Sequence, residues 1–338
     1  MHIKCTNGTP AVNTLDHLPP LPLQVDYLST VAVMVQDELG IYHALRSHNR
    51  VHHIYLQLPL PTLHKCLVIM GGHFPILEHL FLSLPADKTT TLTLPKAFMA
   101  PNLRYLALFG VGLPKRLRVL TSTVSLVRLE LGNIQTSNYF RPRLLVARLS
   151  TLPQLKELSI GFSTPIPRPS SERKLLGGQG TPKTLPSLKK LQFKGISAYL
   201  ECFVAQIRAP LLERLEITLF NQIAFILPHL SHLINITAFK LPAVRIFLDR
   251  DEVTVTTSHY RSTRSNIVFI LRVRCKQLDW QIDCAAQICN ALYACTIRGR
   301  VFHAGLLQLG NADRIAERCD RQHNVARTSY VIHRNKEA

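Results

Sequence analysis

One spacing recurs along the chain and restricts its fold more than any other feature. In Leu77-Glu-His-Leu80-Phe-Leu82-Ser-Leu84, apolar residues occupy positions 1, 4, 6 and 8. The same frame opens at Leu103 (Leu106, Leu108), Leu126 (Leu129, Leu131), Leu155 (Leu158, Ile160), Leu188 (Leu191, Phe193) and Leu212 (Leu215, Ile217). Upstream it opens at Val51 (Ile54, Leu56, Leu58) and Leu28 (Val31, Val33, Val35). Downstream, weaker copies open at Leu241 (Val244, Ile246, Leu248) and Val268 (Leu271, Val273). The ten starts lie 23 to 33 residues apart. One copy means little in a leucine-rich chain, but ten in series are a repeat architecture.

A second marker falls on five copies. Pro75, Pro101, Pro153, Pro186 and Pro210 each stand two residues before the first leucine. Proline ends a helix and disfavours helix in the residue before it. A short extended run after it suits the alternating positions 4, 6 and 8. The segments between copies have helical character. Asp37-Glu38 places acids where a helix would start and leads into Ile41, Ala44 and Leu45. Tyr139–Leu149 and Ser197–Ile207 have the same periodicity, the latter with a serine at its start. A strand and a helix every 20–29 residues or so is the pattern of a leucine-rich-repeat solenoid, in which each unit's apolar face is covered only by its neighbours. A doubly wound βαβ sheet would need fewer, longer units and would not mark its strands with proline.

The expected fold is therefore α/β: an irregular horseshoe with short parallel strands on the concave face and helices or loops on the convex face. Residues 1–24 are expected to form a capping segment leading into the repeats. Residues 25–292 would hold about ten degenerate repeats, and 293–338, which lack the strand motif, a divergent and poorly packed tail. A shifted reading frame or altered splicing beyond Leu292 would account for that tail. No asparagine ladder is expected, because Asn133 comes one position early and Pro85, Val111 and Ile196 stand at the corresponding places. The longest gap, Gly161 to Thr184, carries Pro165, Pro167, Pro169 and several glycines and should be an exposed loop.

Composition excludes several classes. With 46% apolar and 18% charged residues, the chain has ample surface to bury and is not a disordered polymer. Its eight cysteines include no Cys-x-x-Cys pair. Without a signal-like start they are expected to be reduced thiols of a cytoplasmic or nuclear protein. Ile217–Phe239 has no Lys, Arg, Asp or Glu, but its Asn, Gln, His and Pro residues argue against a membrane span. The net charge of +19 is uneven. Residues 1–100 hold six basic and six acidic groups, whereas 101–200 hold sixteen against three.

The chain also resembles the F-box/leucine-rich-repeat proteins of mushroom-forming fungi. The resemblance is carried by LDHLPPLPLQVDY (Leu15–Tyr27), DELGIYHAL (Asp37–Leu45), APNLRYLALFGVGLPKRLRVL (Ala100–Leu120), FRPRLLVARLSTLPQLKELSIGFS (Phe140–Ser163), SAYLECFVAQIRAPLLERLEITLFNQIAF (Ser197–Phe225) and CKQLDWQIDCAAQIC (Cys275–Cys289). It covers roughly residues 3–292, the repeat region. It implies a protein-binding scaffold like the substrate-recognition region of a cullin-type ubiquitin ligase. Leu18-Pro19-Pro20-Leu21 imitates an F-box opening, but no acidic residue follows and the only tryptophan is Trp280. It is taken as the lead into the repeats. The cullin adaptor is expected as a partner only if an F-box lies upstream.

No catalytic, cofactor or metal set emerges, so the chain is not expected to be an enzyme. His52-His53, His64 with His73, and His229 with His232 lack further ligands at metal spacing. Cys275, Cys284, Cys289 and Cys295 match no zinc module. Gly177-Gly178-Gln179-Gly180 has no phosphate-loop context. What remains is a surface. Positions 3, 5 and 7 of the frame point outward and nominate His53, Tyr55, His79, Phe81, Tyr105, Phe109, Arg128, Glu130, Glu157, Lys190, Lys194, Arg214 and Glu216 as partner-binding residues. Exposed aromatic and arginine side chains suit a protein interface. Arg128, Lys190 and Arg214 would select an acidic counterpart. The alternative is a free-standing repeat protein binding an acidic protein or nucleic acid, drawn by the basic stretch through Lys115, Arg116, Arg118, Arg141, Arg143, Arg148 and Arg173-Lys174. No aromatic interleaving supports nucleic acid, and a solvated face is the simpler reading of that stretch.

Overall fold

A strand whose alternate residues are apolar must hide one face, and the leucine frame does so the same way in copy after copy. The computed structural model describes the chain apart from residues 1, 10–14, 16, 18, 30–32, 86–91, 115–117, 165–180, 221–226, 237–242, 249–251, 258–267, 275–279, 282, 286, 289–302 and 309–338. The fold is mixed α/β, with strands paired mostly in parallel. The chain divides into two units, Met1–Thr164 with Lys183–Leu188, and Pro165–Pro182 with Lys189–Ala338. The division falls within the longest gap between copies.

The first unit carries β1 (Ile3–Cys5), β2 (Leu23–Leu28), α1 (Val35–Arg46), β3 (Val51–Gln57), α2 (Leu60–Ile69), β4 (His79–Ser83), the short β5 (Leu92–Thr93), β6 (Tyr105–Phe109), the short β7 (Val111–Gly112), α3 (Arg118–Ser122), β8 (Arg128–Ile134), α4 (Pro142–Leu149), β9 (Glu157–Phe162) and the short β10 (Lys183–Thr184). Strands β1, β2, β3, β4, β6, β8 and β9 lie side by side in that order, every pair parallel. Ile54, Leu80, Leu106, Leu129 and Leu158 stand in register, and so do Leu56, Leu82, Leu108, Leu131 and Ile160; all are buried. Each buried leucine contributes about 1.5–3 kcal/mol by leaving water, so two such rows supply much of the core.

The prolines mark a turn that precedes each strand. The N–H groups of Leu77, Leu103, Leu126, Leu155, Leu188 and Leu212 donate to the carbonyls of Phe74, Ala100, Thr123, Leu152, Leu185 and Ala209, three residues back. Where proline is present it sits second in the turn, the position its fixed φ suits. Strand pairing starts two residues after the first leucine, at His79, Tyr105, Arg128, Glu157, Lys190 and Arg214. Asn102 Nδ2 donates to the Pro75 carbonyl (2.7 Å), and Ser187 Oγ to that of Pro153 (2.7 Å), so side chains of one turn also tie down the turn before it. At position 8, Gly110 (φ 72°) and Asn133 (φ 52°) adopt left-handed backbone, which glycine enters freely and asparagine tolerates.

The opening of the chain differs from expectation. The copy expected at Leu28 is displaced: the strand is Leu23–Leu28, with Leu23, Val25 and Tyr27 buried, while Leu28 and Val35 are exposed and Val31 lies outside the described residues. Val25 and Tyr27 pair with Ile54 and Leu56, so they are the true frame residues. β1 adds a further parallel strand within the expected capping segment. The Arg50 guanidinium donates to the carbonyls of Leu15 (3.3 Å), Pro19 (2.9 Å) and Leu21 (3.2 Å). Helix α1 starts near the expected acids: Asp37 is buried and accepts the Gly8 N–H (2.7 Å), while Glu38 bonds the Tyr42 hydroxyl and Lys65 of α2 (2.8 Å).

The second unit carries β11 (Lys190–Gly195), α5 (Ser197–Val204), the short β12 (Ile207–Arg208), β13 (Arg214–Leu219), α6 (Pro228–Ile236), β14 (Ala243–Leu248), β15 (Glu252–Thr257), β16 (Val268–Arg274) and β17 (His303–Gln308). β11, β13 and β16 are parallel and in register. The copy expected at Leu241 does not follow β13. Its strand β14 lies beyond β15, and β14, β15 and β16 pair antiparallel. The copy expected to open at Val268 is slipped by two, since Val268 pairs with Arg214 at position 3. A slip of two preserves the side-chain face, so Phe269, Leu271 and Val273 are buried. Glu201 of α5 is buried, and its carboxylate accepts the N–H groups of His229 and Leu230 at the start of α6 (2.9 Å each).

β17 is a strand within the segment expected to be a tail, parallel to β14; the rest of residues 293–338 lies outside the described residues. So do most of the loop expected between Gly161 and Thr184, the basic residues Lys115, Arg116, Arg173 and Lys174, and Cys275, Cys289 and Cys295.

Candidate functional site

In the first unit the outward positions form three lanes across the strands. His53, His79, Tyr105, Arg128 and Glu157 make one. Asp26, Tyr55, Phe81, Ala107, Glu130 and Ser159 make the second, and Gln57, Ser83, Phe109 and Gly132 the third. All the nominated residues among them are half-buried, as side chains flanked by neighbours but open outward should be. Ala107, by contrast, is fully buried among its larger neighbours.

The rings interact along and across the lanes. Tyr55 and Phe81 stack nearly parallel, centroids 4.0 Å apart at 3°, and Phe81 meets Phe109 at 5.6 Å with a tilt of 38°. The tilted Phe81–Phe109 pair is a favourable aromatic geometry. Gly132 makes Phe109's place possible: a side-chain carbon there would collide with the ring. His53 stacks on His79 (5.2 Å), which lies 6.1 Å from Tyr105. Burial holds both imidazoles below their ordinary pKa, each with a further push from a neighbouring histidine, so the face carries neutral rings at neutral pH. The Tyr105 hydroxyl is pushed up to about 12, by burial first and then by the Glu130 carboxylate.

Arg128 joins the aromatic residues to the charged ones. Its guanidinium carbon lies 5.3 Å from the Tyr105 ring centroid, within cation–π range. Its Nε pairs with Glu130 and stands 3.4 Å from Glu157. Partial burial works against its charge, but the two carboxylates outweigh this and raise its pKa. The second unit repeats the device. Arg214 Nε pairs with Glu216, two residues on, and Gln192 donates to the same carboxylate (2.9 Å). Burial opposes ionisation of Glu216, yet these donors hold its carboxyl below the usual range. Lys190 stands opposite Arg214 in the pairing, and Lys194 Nζ lies 5.8 Å from the Phe220 ring centroid.

The structure thus brings His53, Tyr55, His79, Phe81, Tyr105, Phe109, Arg128, Glu130 and Glu157 onto one strand face, and Lys190, Lys194, Arg214 and Glu216 onto the strand face of the other unit. Arg128 and Arg214, expected to select an acidic counterpart, each pair with a glutamate of their own strand. The reason is local: in a strand, residues i and i+2 share a face, so Arg-Leu-Glu places a carboxylate beside each guanidinium.

One feature was missed. A groove of about 490 Å³ runs past the strand starts of the first unit, lined by Pro22, His52, Ile76, Glu78, Asn102, Arg104, Ser125 and Gln154. These are largely position 2 of each copy and the turn residue two places before it, so the repeat spacing could have revealed them. His52 Nε2 stands 3.6 Å from Glu78 there.

Among the described residues, no group of three or more His, Cys, Asp or Glu could hold a metal ion. No described helix is long and apolar enough to cross a membrane. Cys5, Cys66 and Cys284 are buried and Cys202 is half-buried; burial raises the pKa of Cys66 to about 12, which removes its nucleophilic thiolate. No family model, no curated protein and no solved structure matches this chain.

Proposed function

We propose that the chain is a leucine-rich-repeat solenoid acting as a protein-binding scaffold, with a binding rather than a catalytic role. On this reading it resembles the substrate-recognition region of an F-box subunit of a cullin-type ubiquitin ligase. The observation that carries it is the in-register face of the first unit, where half-buried Tyr55, Phe81, Tyr105 and Phe109 stand on strands spaced by a repeated turn. Side chains held this way lose little rotamer freedom on binding, and aromatic residues of this type dominate interface energetics. Leucines behind the face keep it in place.

The test is capture of partner proteins by the immobilised chain and by variants. Tyr55→Ala and Phe81→Ala should each weaken a captured partner by about 1–3 kcal/mol without changing the circular dichroism spectrum. Arg141→Ala, an exposed change at the start of α4, should alter only the salt dependence. If Arg141→Ala abolishes capture and the aromatic changes do nothing, the reading is wrong. Co-expression of the complete gene product with the cullin adaptor decides the ligase link separately. The alternative of an acidic or nucleic-acid ligand draws little support from cations already paired to Glu130 and Glu216.

A further inference from the structure

We propose that the strand face of the first unit takes a partner segment presenting an arginine or lysine side chain, held between the aromatic rings and the carboxylates that flank them. This rests on the scaffold reading above and names the chemistry of its partner.

The face holds one carboxylate more than its own cations offset, with Lys4 paired to Asp26 (2.9 Å) and Arg128 shared between Glu130 and Glu157. Across the lanes of the first unit, Asp26, Glu130 and Glu157 supply three carboxylates, against the cations Lys4 and Arg128. The face is therefore acidic by one charge within a chain of net charge +19. In the central lane a carboxylate stands at each end of the aromatic run, with Asp26 beside Tyr55 and Glu130 beyond Ala107. Arg128 Nε and the Tyr105 hydroxyl both engage the same oxygen of Glu130, Oε1.

The face also shows how it would hold such a group. Arg128 lies over the Tyr105 ring with a carboxylate on either side in its own lane and the next. That is a guanidinium docked by a ring face plus acids, the combination that recognises cationic side chains. Tyr55 and Phe81 cover one ring face of each other and Phe109 tilts against Phe81, and no cation is seated on the ring surface that remains among the described residues. A bare anion would meet the negative faces of these rings and the carboxylates beside them. A cation meets attraction from both.

The chain's overall charge makes the test selective. Non-specific attraction to a strongly basic protein enriches acidic peptides, so basic ones can be retained only by a local site. The full chain is immobilised at physiological salt and panned with a random twelve-residue peptide library. Selected peptides are then measured by fluorescence anisotropy against the wild type, Phe81→Ala, Phe81→Leu and Glu130→Gln. The expected peptides carry Arg or Lys, and Glu130→Gln and Phe81→Leu should each weaken them by about five- to tenfold. Phe81→Leu keeps apolar bulk and removes the ring, so its effect separates cation–π attraction from simple burial. Peptides that lack a cation but still need Phe81 would overturn this proposal and leave the scaffold reading standing. Peptides indifferent to Phe81→Ala, or no retained peptide at all, would overturn both.

Discussion

The strands from β3 to β9 and the copies that became β14 and β16 were expected to follow one rule, and only the first set does throughout. From β3 to β9 every pair is parallel and neighbours follow chain order. From β14 to β16 the pairing is antiparallel and the order is reversed, with β16 next to β13. Both regions alternate apolar residues. A first leucine bonded three residues back precedes β4, β6, β8 and β9, whereas the residues leading into β14, β15 and β16 lie outside the described residues. Alternation decides which side of a strand is buried but says nothing about its neighbour or direction. The turn brings each strand in at the same height and heading, and that is what makes the lanes.

The sharpest way to test this contrast is through the leucine rows. Leu106 is fully buried between Leu80 and Leu129, and Leu106→Ala should cost about 2–5 kcal/mol in urea denaturation. Leu129→Ala, in the same row, should cost a similar amount. A large difference between them would show that the copies are not physically equivalent.

Next in size is the device of the second unit, where one buried carboxylate caps a helix. Glu201→Ala leaves the His229 and Leu230 N–H groups without their acceptor and should cost about 1–3 kcal/mol. Burial raises the Glu201 pKa above its ordinary 4.5, ahead of the opposing N–H bonds. The folded state then binds the proton more tightly than the unfolded chain. Its contribution is complete below the unfolded pKa and is lost as pH rises through the folded one. Unfolding free energy measured from pH 4 upward should fall over that window, and Glu201→Gln, which does not titrate, should flatten the fall.

Smaller effects belong to the turns and to the edge. Pro101→Ala frees the second position of a turn in the unfolded chain and should cost about 0.4–1 kcal/mol in urea denaturation. Tyr27 occupies a frame position where the neighbouring strands carry leucine, and its buried hydroxyl has no hydrogen-bond partner among the described residues. Tyr27→Phe removes a desolvated polar atom and should raise the melting midpoint slightly, by up to about 1 kcal/mol in stability.

Much of the candidate site was legible because position 3, 5 and 7 residues follow from the leucine count alone. Tyr55, Phe81, Tyr105 and Phe109 were nominated that way, and all are half-buried on one face. Ala107 shows the limit of the rule, being on that face yet covered by its neighbours. The ion pairs Arg128–Glu130 and Arg214–Glu216 follow from the same period, since each glutamate lies two residues on and on the same side of the strand. At the start, the Leu28 copy was misplaced because Leu23, Val25 and Tyr27 depart from the leucine frame, while the hydrophobic run at Val31, Val33 and Val35 imitates it. β15 was missed altogether: its Thr-rich alternation Glu252–Thr257 is good strand sequence but has no leucine to mark it.

Sequence alone determined the local facts of this protein: which residues turn inward in β3 to β9, where the turns stand, and which side chains line the strand face. These depend on interactions within a few residues, on the two-residue period of a strand and on proline's fixed φ, and so they can be counted. Only the tertiary structure decided the neighbours. The placement of β16 beside β13, the bonds from Arg50 to Leu15, Pro19 and Leu21, the capping of α6 by Glu201 and the room made for Phe109 by Gly132 each join residues far apart in the chain or on different strands. Such pairings are selected by the free energy of the whole packed assembly, in which many local patterns compete for the same hydrogen bonds and the same buried space.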